Sequence, residues 1–284
     1  MSGYMLLNRM FTHQNLKNLI YYNNSNIYEK IIDDFLEAVN GYTNNEIIDN
    51  IYNILNRKYR NEYYYENTLV NKLLFGIYSP NTTTALSQIP ISGSIADFIL
   101  INDRATVFEI KTELDSFYRL RTQIEDYYKV FKYVVVVTSE KKFSKLSEIL
   151  SDLPVGINVI TKKGTISRKL KKDPYENTER LEHRAIFDFL HKNEFENVIR
   201  KYNYQLPRVA PAFYYAECYK LFKNIPMEFI QQSILQELIK RRSVSSKQFK
   251  EIPYSLKAVS YSINLTKFEQ KRLKKFLESE FKGE

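Results

Sequence analysis

Two apolar runs, residues 95–101 and 106–110, flank the connection Asn102-Asp103-Arg104-Ala105, which is rich in turn formers. Strand-length apolar runs around a short polar turn predict a β-hairpin. A preceding run, 85–91, predicts a first strand. Pro90 within it marks an edge or an irregular end, because proline cannot donate to a ladder. Downstream, apolar residues recur at 117, 120, 124, 128 and 131. That spacing predicts a helix over 117–131 with one face on a sheet. Tyr133 to Thr138, Y-V-V-V-V-T, is apolar throughout, as in a strand covered on both sides. A helix over 141–153 and a short strand over 155–160 follow, and T-K-K-G-T turns the chain at Lys163-Gly164.

The flanks read as helical. Thr43 with Glu46 forms a capping-box pattern ahead of I-I-D-N-I-Y-N-I-L, and Thr266 with Glu269 repeats it ahead of a helix over 267–281. Further helices are predicted over 60–78, 179–192, 210–222 and 226–242. Asp115 or Ser116 should cap the helix that begins at 117. The pattern describes an α/β core over 60–172, with a helical extension over 1–59 and a helical region over 173–284.

Composition narrows the function. A chain of 284 residues, 44% hydrophobic and 26% charged, with no apolar run of membrane-spanning length, reads as a soluble globular protein. The N-terminus lacks the layout of a secretory signal. One cysteine, Cys218, rules out an internal disulfide framework and a cysteine zinc site, so a reducing cytoplasm is expected. His183 and His191 lack a zinc-ligand pattern. With seven glycines and no Gly-rich phosphate loop, P-loop hydrolysis is not expected. The net charge of +9 favours a polyanionic partner. Lys162, Lys163, Arg168, Lys169, Lys171 and Lys172 place six cations in eleven residues, a pattern that can track a nucleic-acid backbone. Lys240, Arg241, Arg242, Lys247 and Lys250 form a second basic cluster.

Three charges interrupt the hairpin. Asp97 lies in the first strand, opposite Glu109 or Ile110 in the second, and Glu109 and Lys111, two apart, share a face. Charges in apolar strands need a partner, a metal or a purpose. Two carboxylates suit a divalent cation, which commonly takes one or two of them together with substrate oxygens. A lysine on the same face can act on a phosphate or an attacking water by its charge. On the helix over 117–131, Arg119, Gln123 and Tyr127 run along one border of the apolar stripe. From there Gln123 can reach a water or carboxylate, and Arg119 a phosphate.

Asp97, Glu109 and Lys111 resemble the D-(x)n-(D/E)-x-K signature of the PD-(D/E)xK nuclease superfamily. The R-L-x-x-Q-x-x-x-Y run of Arg119, Leu120, Gln123 and Tyr127 looks like its RecB and lambda-exonuclease branch. The wider run, E-Y-Y-Y-E-N from Glu62, then A-D, E-I-K-T-E-L-D and R-L-x-x-Q, is similar to a group of uncharacterised bacterial and phage nuclease-like proteins. The resemblance covers roughly 60–165. It implies a restriction-endonuclease-like α-β-β-β-α-β core and a Mg²⁺- or Mn²⁺-dependent nuclease. Asp97, Glu109 and the Ile110 carbonyl would hold the metal. Lys111 would act on water and phosphate, supported by Gln123 and by Glu62 or Glu66, with Glu62 preferred for its family-like context. Arg119, Tyr127, Lys162, Lys163, Arg168 and Lys169 would contact nucleic acid. Ala96 departs from the proline of the motif, and Gln88 stands where some members carry an acid. The expected substrate is DNA, in DNA processing or phage defence. The alternatives are an RNase, a nucleic-acid-binding module on the same fold that no longer cleaves, and a structural protein with a buried ion network.

Overall fold

The computed structural model describes residues 2–241 and 250–282. Its centre is a six-stranded mixed sheet whose spatial order, β1 to β6, is the order in the chain. The strands are β1 (Thr84–Ile91), β2 (Ser94–Ile101), β3 (Ala105–Lys111), β4 (Tyr133–Ser139), β5 (Gly156–Ile160) and β6 (Ile166–Lys172). β1–β2, β2–β3 and β5–β6 pair antiparallel, whereas β3–β4 and β4–β5 pair parallel. Each parallel joint requires a crossover. Helix α6 (Leu120–Tyr128) supplies the first and α7 (Phe143–Ile149) the second.

Helices cover both faces, so the chain is a mixed α/β fold. One face carries α1 (Ser2–Met10), α2 (His13–Tyr22), α3 (Asn26–Phe35), α4 (Asn44–Lys58) and α5 (Glu62–Leu69), which runs on into a π-helical turn at Val70–Leu74. The last helices, α12 (Lys257–Ile263) and α13 (Lys267–Glu278), join the same layer. Both capping boxes are formed, at Thr43/Glu46 and at Thr266/Glu269. Asn44 ties the layer together by donating to Phe276 O (3.1 Å) and Ser279 O (3.0 Å). The opposite face carries α6 and α7 with α8 (His183–Phe189), α9 (Lys192–Lys201), α10 (Pro211–Phe222) and α11 (Met227–Lys240). β4 shows why both layers are needed. Val134 and Val136 enter one core while Val135 and Val137 enter the other.

Several elements differ from the expectation. Residues 166–172 form an edge strand, although their charge masked the alternation. The helix expected over 179–192 is confined to His183–Phe189, and a separate one starts at Lys192, where Glu194 accepts from the His191 backbone N–H (2.8 Å). α6 begins at Leu120 with no side-chain cap. Asp115, expected there, instead accepts from Thr112 N and Oγ1. Of the second basic cluster, Arg242 and Lys247 lie outside the described residues. Among the described residues no helix is long and apolar enough to cross a membrane.

The sheet's regular alternation breaks at one place. In β2, Ile99 and Ile101 face one core and Phe98 and Leu100 the other, yet Ala96 joins the core of Ile99. In β1, Ala85 and Leu86 alternate normally, whereas Ile89 and Ile91 both pack on Leu86's side. Both strands therefore change phase, at Asp97 and at Gln88. The β1–β2 register places these two residues opposite each other. Gln88 adopts φ 55°, a left-handed conformation that a side-chain-bearing residue holds only at some cost. β1 and β2 stay paired on both sides of it, at Ser87↔Phe98 and at Ile89↔Ala96.

Candidate active site

The β2–β3 ladder runs from Ile101↔Ala105 to Phe98↔Phe108 and stops. The next pair in that register is Asp97 and Glu109. As the strands part, the Ile110 N–H donates to Asp97 Oδ2 at 2.7 Å. Glu109 faces α6 and is only 1% exposed. Lys111 Nζ donates to its Oε1 at 2.5 Å, and the Tyr127 hydroxyl donates to its Oε2 at 2.5 Å while lying 2.8 Å from Ile95 O. Both oxygens of a buried carboxylate are thus held, as burial requires.

α5 brings two more acids. Gln88 Nε2 donates to Glu62 Oε1 (2.8 Å), and Ser87 Oγ donates to Glu66 Oε1 (2.6 Å). Glu62 opens to solvent on one side but is otherwise hemmed in by protein. That burial, then the charges of Asp115 and Glu109, push its carboxyl above the usual range. Burial, then the charges of Glu109 and Glu62, raise Asp97 well above it. Burial raises Glu66 to about 7. Of the two helix acids, Glu62 is the one whose charge reaches Asp97.

Two clefts flank these groups. A wider one, about 610 Å³, includes Glu62, Glu66, Gln88, Leu114 and Asp115 in its walls. A narrower one, about 380 Å³, includes Lys111, Asp115, Arg119 and Gln123. Gln123 Oε1 is buried without a hydrogen-bond partner, a polar atom waiting for a donor. Arg119 is exposed on the rim.

Tyr127 departs from the expected contact with nucleic acid. It is 0% exposed, its ring is buried under α6, and its hydroxyl is spent on Glu109. Its place in the stripe makes it a positioning group. Lys162, Lys163, Arg168 and Lys169 lie away from the carboxylates, on the β5–β6 turn and on β6, three strand spacings or roughly 15 Å from β3. The turn is nevertheless tied to the start of α5. Arg60 donates to Thr161 O (3.0 Å) and to Lys162 O, and Gly164, at φ +70°, packs where a Cβ would meet the Tyr64 hydroxyl at 2.7 Å. Of the remaining two cations, Lys171 pairs with Asp173, and Lys172 donates to Leu150 O and Leu153 O beyond the end of α7.

Sequence reasoning missed Ser87 and the place of Asp115 beside both clefts. A serine in a strand and an acid in a loop carry no spacing signal. Only the fold brings them to the site.

Among the described residues no three His, Cys, Asp or Glu side chains are grouped closely enough to hold a metal by themselves. A Mg²⁺ or Mn²⁺ site does not need three, since waters and substrate oxygens complete its shell. The donors at hand are all hard oxygens, from Asp97, Glu109 and the Ile110 carbonyl. Among the described residues, Glu62, Asp97 and Glu109 have one close ammonium between them, Lys111. A deficit of positive charge at clustered carboxylates fits a divalent cation.

Comparison with curated proteins and with solved structures returned no match. A family model does match, over residues 56–265, from the end of α4 to the residue before the Thr266 cap. The match takes in the whole sheet, both clefts' carboxylates and most of the helices, and the chain therefore belongs to the bacteriophage P4 protein cII family.

Proposed function

We propose that the chain is a divalent-metal-dependent deoxyribonuclease with a restriction-endonuclease-like core of the PD-(D/E)xK type. The carrying observation is that Asp97 and Glu109 lie side by side where β2 and β3 part, with one lysine for three acids. The element order from α5 through β1, β2, β3 and α6 to β4 supports the reading, being the one that the sequence resemblance implies.

In this reading Asp97, Glu109 and the Ile110 carbonyl hold Mg²⁺ or Mn²⁺. Such an ion, when bound, polarises the phosphate and neutralises the charge that builds on it and on the leaving oxygen. Tyr127 keeps Glu109 in place through Oε2 and leaves Oε1 for exchange between Lys111 and the ion. Released from Glu109, Lys111 contacts the scissile phosphate or holds the attacking water by charge. The orphaned Gln123 oxygen accepts from that water. Glu62, its carboxyl raised, supports the cluster from α5. Arg119 grips a neighbouring phosphate, and the Lys162, Lys163, Arg168 and Lys169 surface follows the backbone farther out. A bacteriophage family fits DNA processing in the host cytoplasm.

The test is cleavage of single-stranded, linear duplex and circular DNA, and of RNA, with Mg²⁺, Mn²⁺ or EDTA. Wild type runs beside Asp97→Asn and Lys111→Ala, with folding followed by circular dichroism. Metal-dependent cutting of DNA that disappears in both folded variants is the expected result. Metal-indifferent binding without cutting would leave an inactive binding module. Unfolded variants would point to a structural ion cluster.

A further inference from the structure

The loop between β3 and α6 is anchored like a core element yet displays apolar side chains to water. Asp115 Oδ2 accepts from Thr112 N (2.8 Å) and from Thr112 Oγ1 (2.7 Å). Lys142 donates to Thr112 O (2.8 Å) and to Asp115 O, and its ammonium sits 5.1 Å from the centre of the Phe117 ring. Lys141 pairs with Glu113 at 2.9 Å. A loop so tied has a set shape. On it Leu114 is 64% exposed and Tyr118 is 94% exposed, while Ile95, at the start of β2, is 54% exposed.

Two of these side chains border the clefts, and Tyr118 comes immediately before Arg119 in the chain. Leu114 lines the wider cleft, Ile95 lines the narrower one, and Asp115 lines both. Exposed apolar groups gathered at a site mark a contact surface. The neighbouring charge says what kind. Arg119 lines the narrow cleft with Lys111 and Asp115. Lys111 is paired with Glu109, so Arg119 on the rim is the cation that meets a phosphate backbone. A cationic groove beside an exposed aromatic ring holds single strands, with backbone attraction along the groove and base faces stacked on the ring. In a duplex those faces are hidden by their neighbours, so the ring has a partner only where a base is unpaired.

We propose that Tyr118, exposed on the fixed loop next to the cleft-lining Arg119, stacks on unpaired nucleobases and makes the site select single-stranded or frayed nucleic acid. The proposal rests on the nuclease reading for its substrate class. It assigns to Tyr118 a contact role that the nuclease motif does not contain.

The experiment measures binding of a fluorescein-labelled single-stranded oligonucleotide, and of its blunt duplex, by anisotropy in EDTA. Wild type, Tyr118→Ala and Tyr118→Phe are compared, with sedimentation velocity on each protein. Tyr118→Ala should weaken single-strand binding tenfold or more, on the order of one lost base stack. Tyr118→Phe should restore it to within about twofold of wild type, since the ring face is kept. The duplex should move less than the single strand in both variants. Equal binding by wild type and Tyr118→Ala overturns the proposal, as does an equal loss on single strand and duplex, or no single-strand binding by wild type. A Tyr118→Ala change in sedimentation without a change in oligonucleotide affinity also overturns it and assigns the patch to self-association. Because no cutting occurs in EDTA, intact Tyr118-dependent binding without metal-dependent cleavage would sink the nuclease reading alone. Cleavage with no Tyr118 effect on binding would sink only the loop.

Discussion

Two regions of the molecule bury carboxylates and treat them in opposite ways. Between α9 and α11, Glu237 accepts from Lys201 and Lys240 (both 2.8 Å) and from Asn197 (2.9 Å). Burial alone would raise its carboxyl, but Lys201, Lys240 and Asn197 bring it down to about 2. Glu194 is treated likewise. Burial works against its charge, and Arg241, donating Nε to Oε1 at 2.6 Å, outweighs it and holds the carboxyl low. At the sheet opening the balance reverses. Lys111 stands alone among Glu62, Asp97 and Glu109, and Glu62 and Asp97 are pushed up. The difference lies in burial, which leads in raising Glu62 and Asp97, together with the cations that offset it at Glu237 and Glu194. A region that neutralises its acids is built for stability, and one that leaves them short of positive charge is poised for a ligand.

The comparison breaks most visibly in rate. Lys111→Ala and Asp97→Asn should each lower cleavage by about a hundred- to ten-thousandfold, the range for losing a positioned acid–base or electrostatic group. Lys111→Ala should also cost about 3–5 kcal/mol, because it strands the buried Glu109 carboxylate. Asp97→Asn, by contrast, should match or exceed wild type in urea unfolding, because it removes an acid short of cations. Glu237→Ala should do the reverse. It strands Lys201 and Lys240 and should cost about 2–3 kcal/mol, less than a wholly buried pair because both lysines reach water. Its folded fraction should cut at the wild-type rate. If Asp97→Asn unfolds the protein as Glu237→Ala does, the two regions are of one kind and the site reading fails.

A divalent ion sharpens the contrast further. Mg²⁺ at ten times its dissociation constant should stabilise wild type by about 1.4 kcal/mol through mass action. The thermal shift should vanish in Asp97→Asn and persist in Glu237→Ala. It should also grow as pH rises, since burial and neighbouring acids keep a proton on Asp97 that the ion must displace. A shift that ignores pH or survives Asp97→Asn would place the ion elsewhere.

Glu66 gives a smaller effect with a definite sign. Its folded carboxyl is raised to about 7, so its contribution is fully present below the unfolded value near 4.5 and is lost as pH rises through 7. Glu237, held at about 2, contributes above the unfolded value and loses its share only as pH falls toward 2. Glu66→Gln should therefore equal wild type at pH 4.5 and exceed it at pH 8. The gain should be about 1–2 kcal/mol, reduced from the full shift because Glu66 borders a solvent-filled cleft. Parallel unfolding curves at the two pH values check it. A constant difference between the proteins would show that Glu66 does not titrate there.

Much of this site was legible because strand alternation carries it. Asp97, Glu109 and Lys111 stand out as charges in apolar runs, and the hairpin that juxtaposes them follows from turn chemistry. The helix stripe at 117–131 placed Gln123 and Tyr127 beside the sheet but could not show which would be buried. That depended on where the hairpin opens. The opening itself was illegible, because the phase change at Gln88 and Asp97 shifts which neighbours pack without changing residue type. β6 was hidden for a related reason. It is an edge strand rich in lysine, and edges tolerate charge on residues that a central strand would bury.

The basic edge gives the finest test of how far the site extends. Lys162, Lys163, Arg168 and Lys169 take part in no ion pair among the described residues, and the turn bearing the first two is docked on α5. Were they only a solvated face, Lys162→Ala with Lys163→Ala would leave the salt dependence of DNA binding unchanged. As backbone contacts they release counterions, about 0.7 per phosphate on a single strand. The double variant should then flatten the slope of log affinity against log salt by about 1.4, with only a modest loss of affinity at physiological salt. An unchanged slope would confine the nucleic-acid surface to Arg119, Lys111 and the loop beside them. A flattened slope would extend it past α5 to the far edge of the sheet. The strand would then have to pass the wide acidic cleft, where Glu62, Glu66 and Asp115 repel phosphate and leave room for bases.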